Sequence, residues 1–188
     1  MSGERVTVCL PASAGSDVRA AVAAAVAPYD RNSNTEPYQG EWDTWCLGGP
    51  GAEFTVLAGH EGDPRLIREP VGPRGETRRR QPSLCDGGPR GLLDFTSMRV
   101  DAAARAERAW RERDDFAAAS LEHDLPAYYR LEAKWAVPTE HLLTLDGIWT
   151  DGSDPSRPGY GNDYLSFANA YLDDLPPDVL VVHLRIRC

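Results

Sequence analysis

Val179-Leu180-Val181-Val182-His183-Leu184-Arg185-Ile186 decides how the chain is read. It opens as an unbroken apolar run. It then alternates, with His183 and Arg185 between Val182, Leu184 and Ile186. Such a run reads as a strand that enters a core and leaves it at the surface. Pro176-Pro177 stands just before it and stops a helix. That helix is predicted from Asn162 or Asp163 as cap to Leu175, with Tyr164, Ala168, Tyr171 and Leu175 on one face. Further back, Asp146-Gly147 separates His141–Leu145 from Ile148–Thr150. An Asp-Gly pair between apolar runs predicts a two-residue hairpin with both central residues at positive φ.

The other end of the chain is equally regular. Arg5–Leu10 is β-branched and predicts a strand. Ser13 or Ser16 is placed to cap a helix over 17–27, where Val18, Val22 and Val26 form one stripe and Pro28 ends it. Joined, the two ends spell β-α-(insertion)-β-β-α-β. That order predicts an α+β fold with a ferredoxin-like (βαββαβ) core in a single domain, 1–188. The insertion is long, helical and loop-rich, and covers 29–138; two packed subdomains are the second choice. Within it, 54–58 is a candidate strand and 64–89 a loop. A long helix is expected from Asp94 or Thr96 to Leu121, facing inward through Ala103, Ala106, Trp110, Ala117 and Leu121. A further helix is expected over 126–134.

Composition narrows the function. A net charge of −9 argues against general binding to nucleic acid or anionic membrane, because phosphates are repelled at long range. No apolar run approaches the length of a membrane span, and no leader is visible, so a cytoplasmic protein with reduced thiols is expected. The 17 glycines and 15 prolines imply many turns. Lys134 is the lone lysine beside nineteen arginines, first of all a mark of a GC-rich genome. Seven of the arginines fall between Pro64 and Arg90, a basic patch in an acidic chain.

One loop is written twice. Cys46-Leu47-Gly48-Gly49-Pro50 returns as Cys85-Asp86-Gly87-Gly88-Pro89. Glycine pairs beside proline free the backbone to expose N–H groups, which can form anion-binding nests. Ordinary turn chemistry also explains them. If the loops line one pocket, Gly48, Gly49, Gly87 and Gly88 would bind an anion. Trp42 and Trp45 would stack on a planar body, and Arg90 would neutralise charge. A core role for both tryptophans is the competing reading. No P-loop and no dinucleotide fingerprint is present, so no cofactor is expected. Cys46 and Cys85 are the candidate nucleophiles, and His60, in a Gly-His-Glu-Gly turn, is the nearest candidate base in sequence. His183, on a strand, reads as structural. Asp146, Asp151, Asp154 and Asp163 lack calcium-loop spacing, and the cysteines form no C-x-x-C pair, so no metal site is expected.

The segments Pro28-Tyr29-Asp30-Arg31-Asn32, Glu36-Pro37-Tyr38, Trp42–Gly49, Cys85–Arg99 and Leu142–Trp149, in that order, resemble a group of uncharacterised actinobacterial and actinophage proteins. In that group an aromatic-rich W-x-x-W-x-x-Gly-Gly segment leads to Arg-Trp, and a Cys-Asp-Gly-Gly-Pro loop precedes a long helix. Here Pro50-Gly51 stand where Arg-Trp is expected. The resemblance implies GC-rich bacterial or phage origin and co-occurrence of the two glycine loops, and implies no reaction; a phage- or defence-related setting is expected only together with the ligand-binding reading. Three functions follow from the residues. The first is a binding protein for an anionic, planar, nucleotide-like molecule. The second is a cysteine enzyme using Cys85 or Cys46. The third is a protein-interaction module acting through the Arg-rich loop.

Overall fold

Strand β8 (Leu180–Arg187) organises the sheet, and its sequence explains why. Its side chains alternate between two cores. Leu180, Val182, Leu184 and Ile186 pack on one face, and Val181 on the other. The apolar run is thus buried on both faces, as a central strand requires. The computed structural model describes residues 4–33, 41–49, 51–69, 81–112 and 125–187.

One edge of β8 pairs antiparallel with β1 (Glu4–Leu10), from Glu4↔Ile186 to Leu10↔Leu180. The other edge carries two short strands in line, β2 (Thr44–Leu47) and β5 (Gly87–Pro89). Beyond β1 lies β6 (His141–Leu143), parallel to it, and then β7 (Trp149–Thr150), antiparallel to β6. A separate two-stranded ribbon pairs β3 (Phe54–Thr55) with β4 (Leu84–Cys85). Helix α1 (Val18–Val26) covers one face of the sheet through Val22 and Val26. The opposite face meets the β3–β4 ribbon, α2 (Phe95–Arg111) and α4 (Tyr164–Asp173). Helix α3 (Leu125–Lys134) lies against α2 and buries no residue completely.

The fold is mixed α/β, as expected, but the ferredoxin-like strand order is not the one observed. That plan splits its first β-α-β unit by placing one strand of the later hairpin between its two parallel strands. Here β6 pairs directly with β1, and β7 lies outside it. The stretch 29–138 is also more than an insertion, because β2 and β5 complete the main sheet.

Local details follow simple chemistry. Asp17, rather than either serine, caps α1 by accepting the Ala20 N–H. Asp94 caps α2 by accepting the Ser97 N–H. The buried stripe of α2 is Phe95, Met98, Ala102 and Ala106, so Ala106 faces inward while Ala103 and Trp110 are half-buried. Ala117 and Leu121 lie outside the described residues. The β6–β7 connection is longer than two residues. Only Gly147 takes positive φ (74°), in a Thr144–Gly147 turn closed by the Gly147 N–H to the Thr144 carbonyl. Tyr29 fastens this turn by donating to the Gly147 carbonyl at 2.6 Å.

Candidate functional site

The two glycine repeats meet. β2 runs along residues 184–187 of β8, and β5 along residues 180–182. His183 is the junction: its carbonyl accepts the Gly48 N–H at 2.8 Å, and its own N–H donates to the Asp86 carbonyl at 3.0 Å. The repeats are therefore two halves of one edge strand. Their glycines answer to crowding. A Cβ on Gly87 would lie 2.5 Å from the Val181 carbonyl oxygen, and one on Gly49 would lie 2.7 Å from the Arg185 side chain. Two of the N–H groups in these loops are not offered to an anion, because Gly48 and Asp86 donate to the His183 and Ile67 carbonyls.

The other candidates separate. Trp42 is buried under α1 and donates its indole N–H to the Val26 carbonyl at 3.0 Å. Trp45 is half-buried against the same core. Arg90 lies 4.0 Å over the Phe95 ring and donates to the Leu172 carbonyl at 2.9 Å, which ties β5 to the end of α4. Burial pulls the Arg90 pKa below its ordinary value. Cys85 is fully buried against Phe54, Cys46 is half-buried on β2, and His60 is exposed on a turn. The structure thus sets the thiol of Cys85 in the core and the imidazole of His60 in solvent. His183 is structural, as expected. It stacks on Phe54 with ring centroids 3.7 Å apart, and its nitrogens face the Ala52 and Val137 carbonyls. Burial pushes its pKa down to about 4, so it is neutral at pH 7. Among the described residues no cluster of three or more His, Cys, Asp or Glu side chains is placed to hold a metal. The Arg-rich loop falls largely at 70–80, outside the described residues.

A groove of about 410 Å³ opens elsewhere, where β1 ends and α1 begins. The β1–α1 turn contributes Ala12, Gly15 and Val18 to it; the stretch 64–67, Pro89 and Leu180 supply the rest of an apolar lining. Two charged residues, Arg65 and Asp178, join that lining. Arg65 chelates Asp63 through Nε and Nη2 and holds that carboxyl down to about pKa 2. Among the described residues its Nη1 has no hydrogen-bond partner.

The stretch 64–69 is firmly held. Ile67 exchanges backbone hydrogen bonds with Asp86 and Gly87, at 2.8 and 2.7 Å. Arg68 donates to the carbonyls of Glu61, Pro82 and Leu84. Glu69 pairs with Arg19 on α1. Sequence reasoning passed over this groove. Its one local sign is the small-residue turn Ala12-Ser13-Ala14-Gly15-Ser16 between a strand and a helix, which permits close approach but names no ligand.

No family model, no curated protein and no solved structure matches the chain.

Proposed function

We propose that this chain is a binding protein for a small, planar, anionic molecule, nucleotide-like in size, held in the groove between the β1–α1 turn and the stretch 64–67. The groove itself carries the reading. Its volume lies within the usual range for ligand sites, and its lining has the usual make-up: mostly apolar, with a few charged groups. The apolar side chains suit a flat body, and Arg65 suits an anionic end. Trp42 and Arg90 take no part, since both are engaged in holding the fold. With Cys85 in the core and His60 on the surface, the geometry lends no support to that pair as nucleophile and base.

The test compares adenosine monophosphate with adenosine, by calorimetry and by amide shifts in NMR spectra. Binding should shift the amides of Gly15, Val18 and Ile67. Arg65→Ala should weaken the nucleotide and leave the nucleoside unchanged. Leu66→Trp, which fills the groove, should abolish both. Saturable binding whose shifts map away from the groove would refute the site. No shift from either compound at millimolar concentration would refute the nucleotide-like reading.

A further inference from the structure

We infer that Asp86 is the positioning residue of the groove, the link through which the doubled glycine loop sets the place of the groove wall. The inference rests on the ligand-binding reading above for its functional meaning, and on separate contacts for its geometry.

Asp86 is a carboxylate with no exposed surface. Such a group is costly to bury unless hydrogen bonds hold it in place. One of those bonds reaches the end of the segment that carries the wall, two residues past the lining residue Ile67: Oδ2 accepts the Glu69 N–H at 2.8 Å. The Asp86 main chain reaches in two further directions, donating its N–H to the Ile67 carbonyl and accepting the His183 N–H. Its side chain fills the space beside Gly48 that a Cβ there would take. Gly48 thus fixes where the carboxylate lies, and the carboxylate fixes Glu69. Next to it, Gly88 lets Leu66 approach; a Cβ at 88 would stand 3.0 Å from the Leu66 Cδ2. Leu66 and Ile67 both line the groove. Asp86 lies outside that lining and acts on a ligand only through these neighbours.

The experiment measures amide hydrogen exchange and nucleotide affinity on the full chain. In the wild type, the Glu69 amide should exchange at least about tenfold more slowly than a free amide, as a bond to a carboxylate requires. Asp86→Ala should remove that protection and raise exchange at Ile67, while Val8 and Val182 in the central strands stay protected. Asp86→Asn should restore most of it, because the amide oxygen still accepts the Glu69 N–H. Leu143→Ala, a core truncation on β6, should lower overall stability without loosening Glu69. Adenosine monophosphate affinity should fall about tenfold or more in Asp86→Ala and recover in Asp86→Asn.

Unprotected Glu69 in the wild type, or exchange raised uniformly over the sheet in Asp86→Ala, would overturn the inference. So would an affinity unchanged by a loosened wall. If Asp86→Ala fails to fold, the wild-type and Asp86→Asn exchange rates decide alone. If the wild type binds no nucleotide while the exchange pattern appears as described, the ligand reading fails and the tether stands.

Discussion

Gly48 lies so close to Asp86 that a Cβ in place of the glycine hydrogen would sit 1.7 Å from Oδ1. Gly48 also holds φ at +58°, a conformation that itself costs other residues about 1–2 kcal/mol. Gly48→Ala should therefore destabilise the chain by about 3 kcal/mol or more, with strain and overpacking added. Gly51, at φ +76° with open space around it, separates the two causes. Gly51→Ala should cost only the conformational part. Urea denaturation of both variants checks this. Equal losses would mean that Asp86 moves aside freely.

His183 makes stability depend on pH. In the unfolded chain it takes up a proton near pH 6.5, whereas in the native state burial holds its pKa down to about 4. Between those values the unfolded state binds more protons. Stability should fall as pH drops from 6.5 towards 4, by about 3 kcal/mol at most, and His183 should add no pH dependence above neutrality. Denaturation at pH 7.5, 5.5 and 4.5 reads the slope. His183→Leu should flatten it even if overall stability falls.

Arg90→Ala should lose about 2 kcal/mol of stability, from the bond to the Leu172 carbonyl and the contact over Phe95. Arg90→Lys should not recover it, because an ammonium lacks the planar fork that faces ring and carbonyl together. Nucleotide binding should be unchanged in both. A loss of binding with unchanged stability would return Arg90 to the ligand site.

Trp42→Phe should cost about 1–2 kcal/mol by removing the donor to the Val26 carbonyl and part of the packing under α1. Emission from Trp42, isolated by difference from the variant, should resist acrylamide quenching with and without nucleotide. Quenching that nucleotide suppresses would place the indole at the ligand instead.

Thiol labelling separates the cysteines by burial. Cys9 and Cys85 should stay unreactive to a disulfide reagent in the native protein, and burial also pushes the Cys9 thiol well above its usual pKa. Cys46 should react at an intermediate rate. Fast labelling of Cys85 in the native state would reopen its candidacy as a nucleophile.

The ends of the chain were legible because their signals are local. A β-branched run, an i, i+4 valine stripe and a Pro-Pro stop act over a few residues, and β1, α1, α4 and β8 formed accordingly, although the caps differ: Asp17 replaces the expected serine on α1, and the Asp163 side chain makes no cap bond on α4. The hairpin was readable as a turn but not as a turn type, since the Tyr29 hydroxyl that fastens it comes from far away in the chain. His183 is readable as structural because it lies inside a strand-forming run. The roles of Trp42 and Arg90 were not readable, because an indole or a guanidinium looks the same in sequence whether it meets a ligand or a backbone carbonyl.

By itself the sequence determined the terminal elements β1, α1, α4 and β8 and their apolar faces, but not that β2, β4 and β5 become strands. It also marked Cys46–Pro50 and Cys85–Pro89 as special. Only the tertiary structure decided that β6 joins β1 directly, that both repeats pair along one edge of β8, and that a groove opens beside the β1–α1 turn. The physical reason is the range of the forces involved. Backbone preference and capping act between neighbours in the chain, whereas a glycine's necessity is set by whatever atom arrives beside it. For Gly48 that atom belongs to Asp86, and no property of either residue alone reveals the meeting.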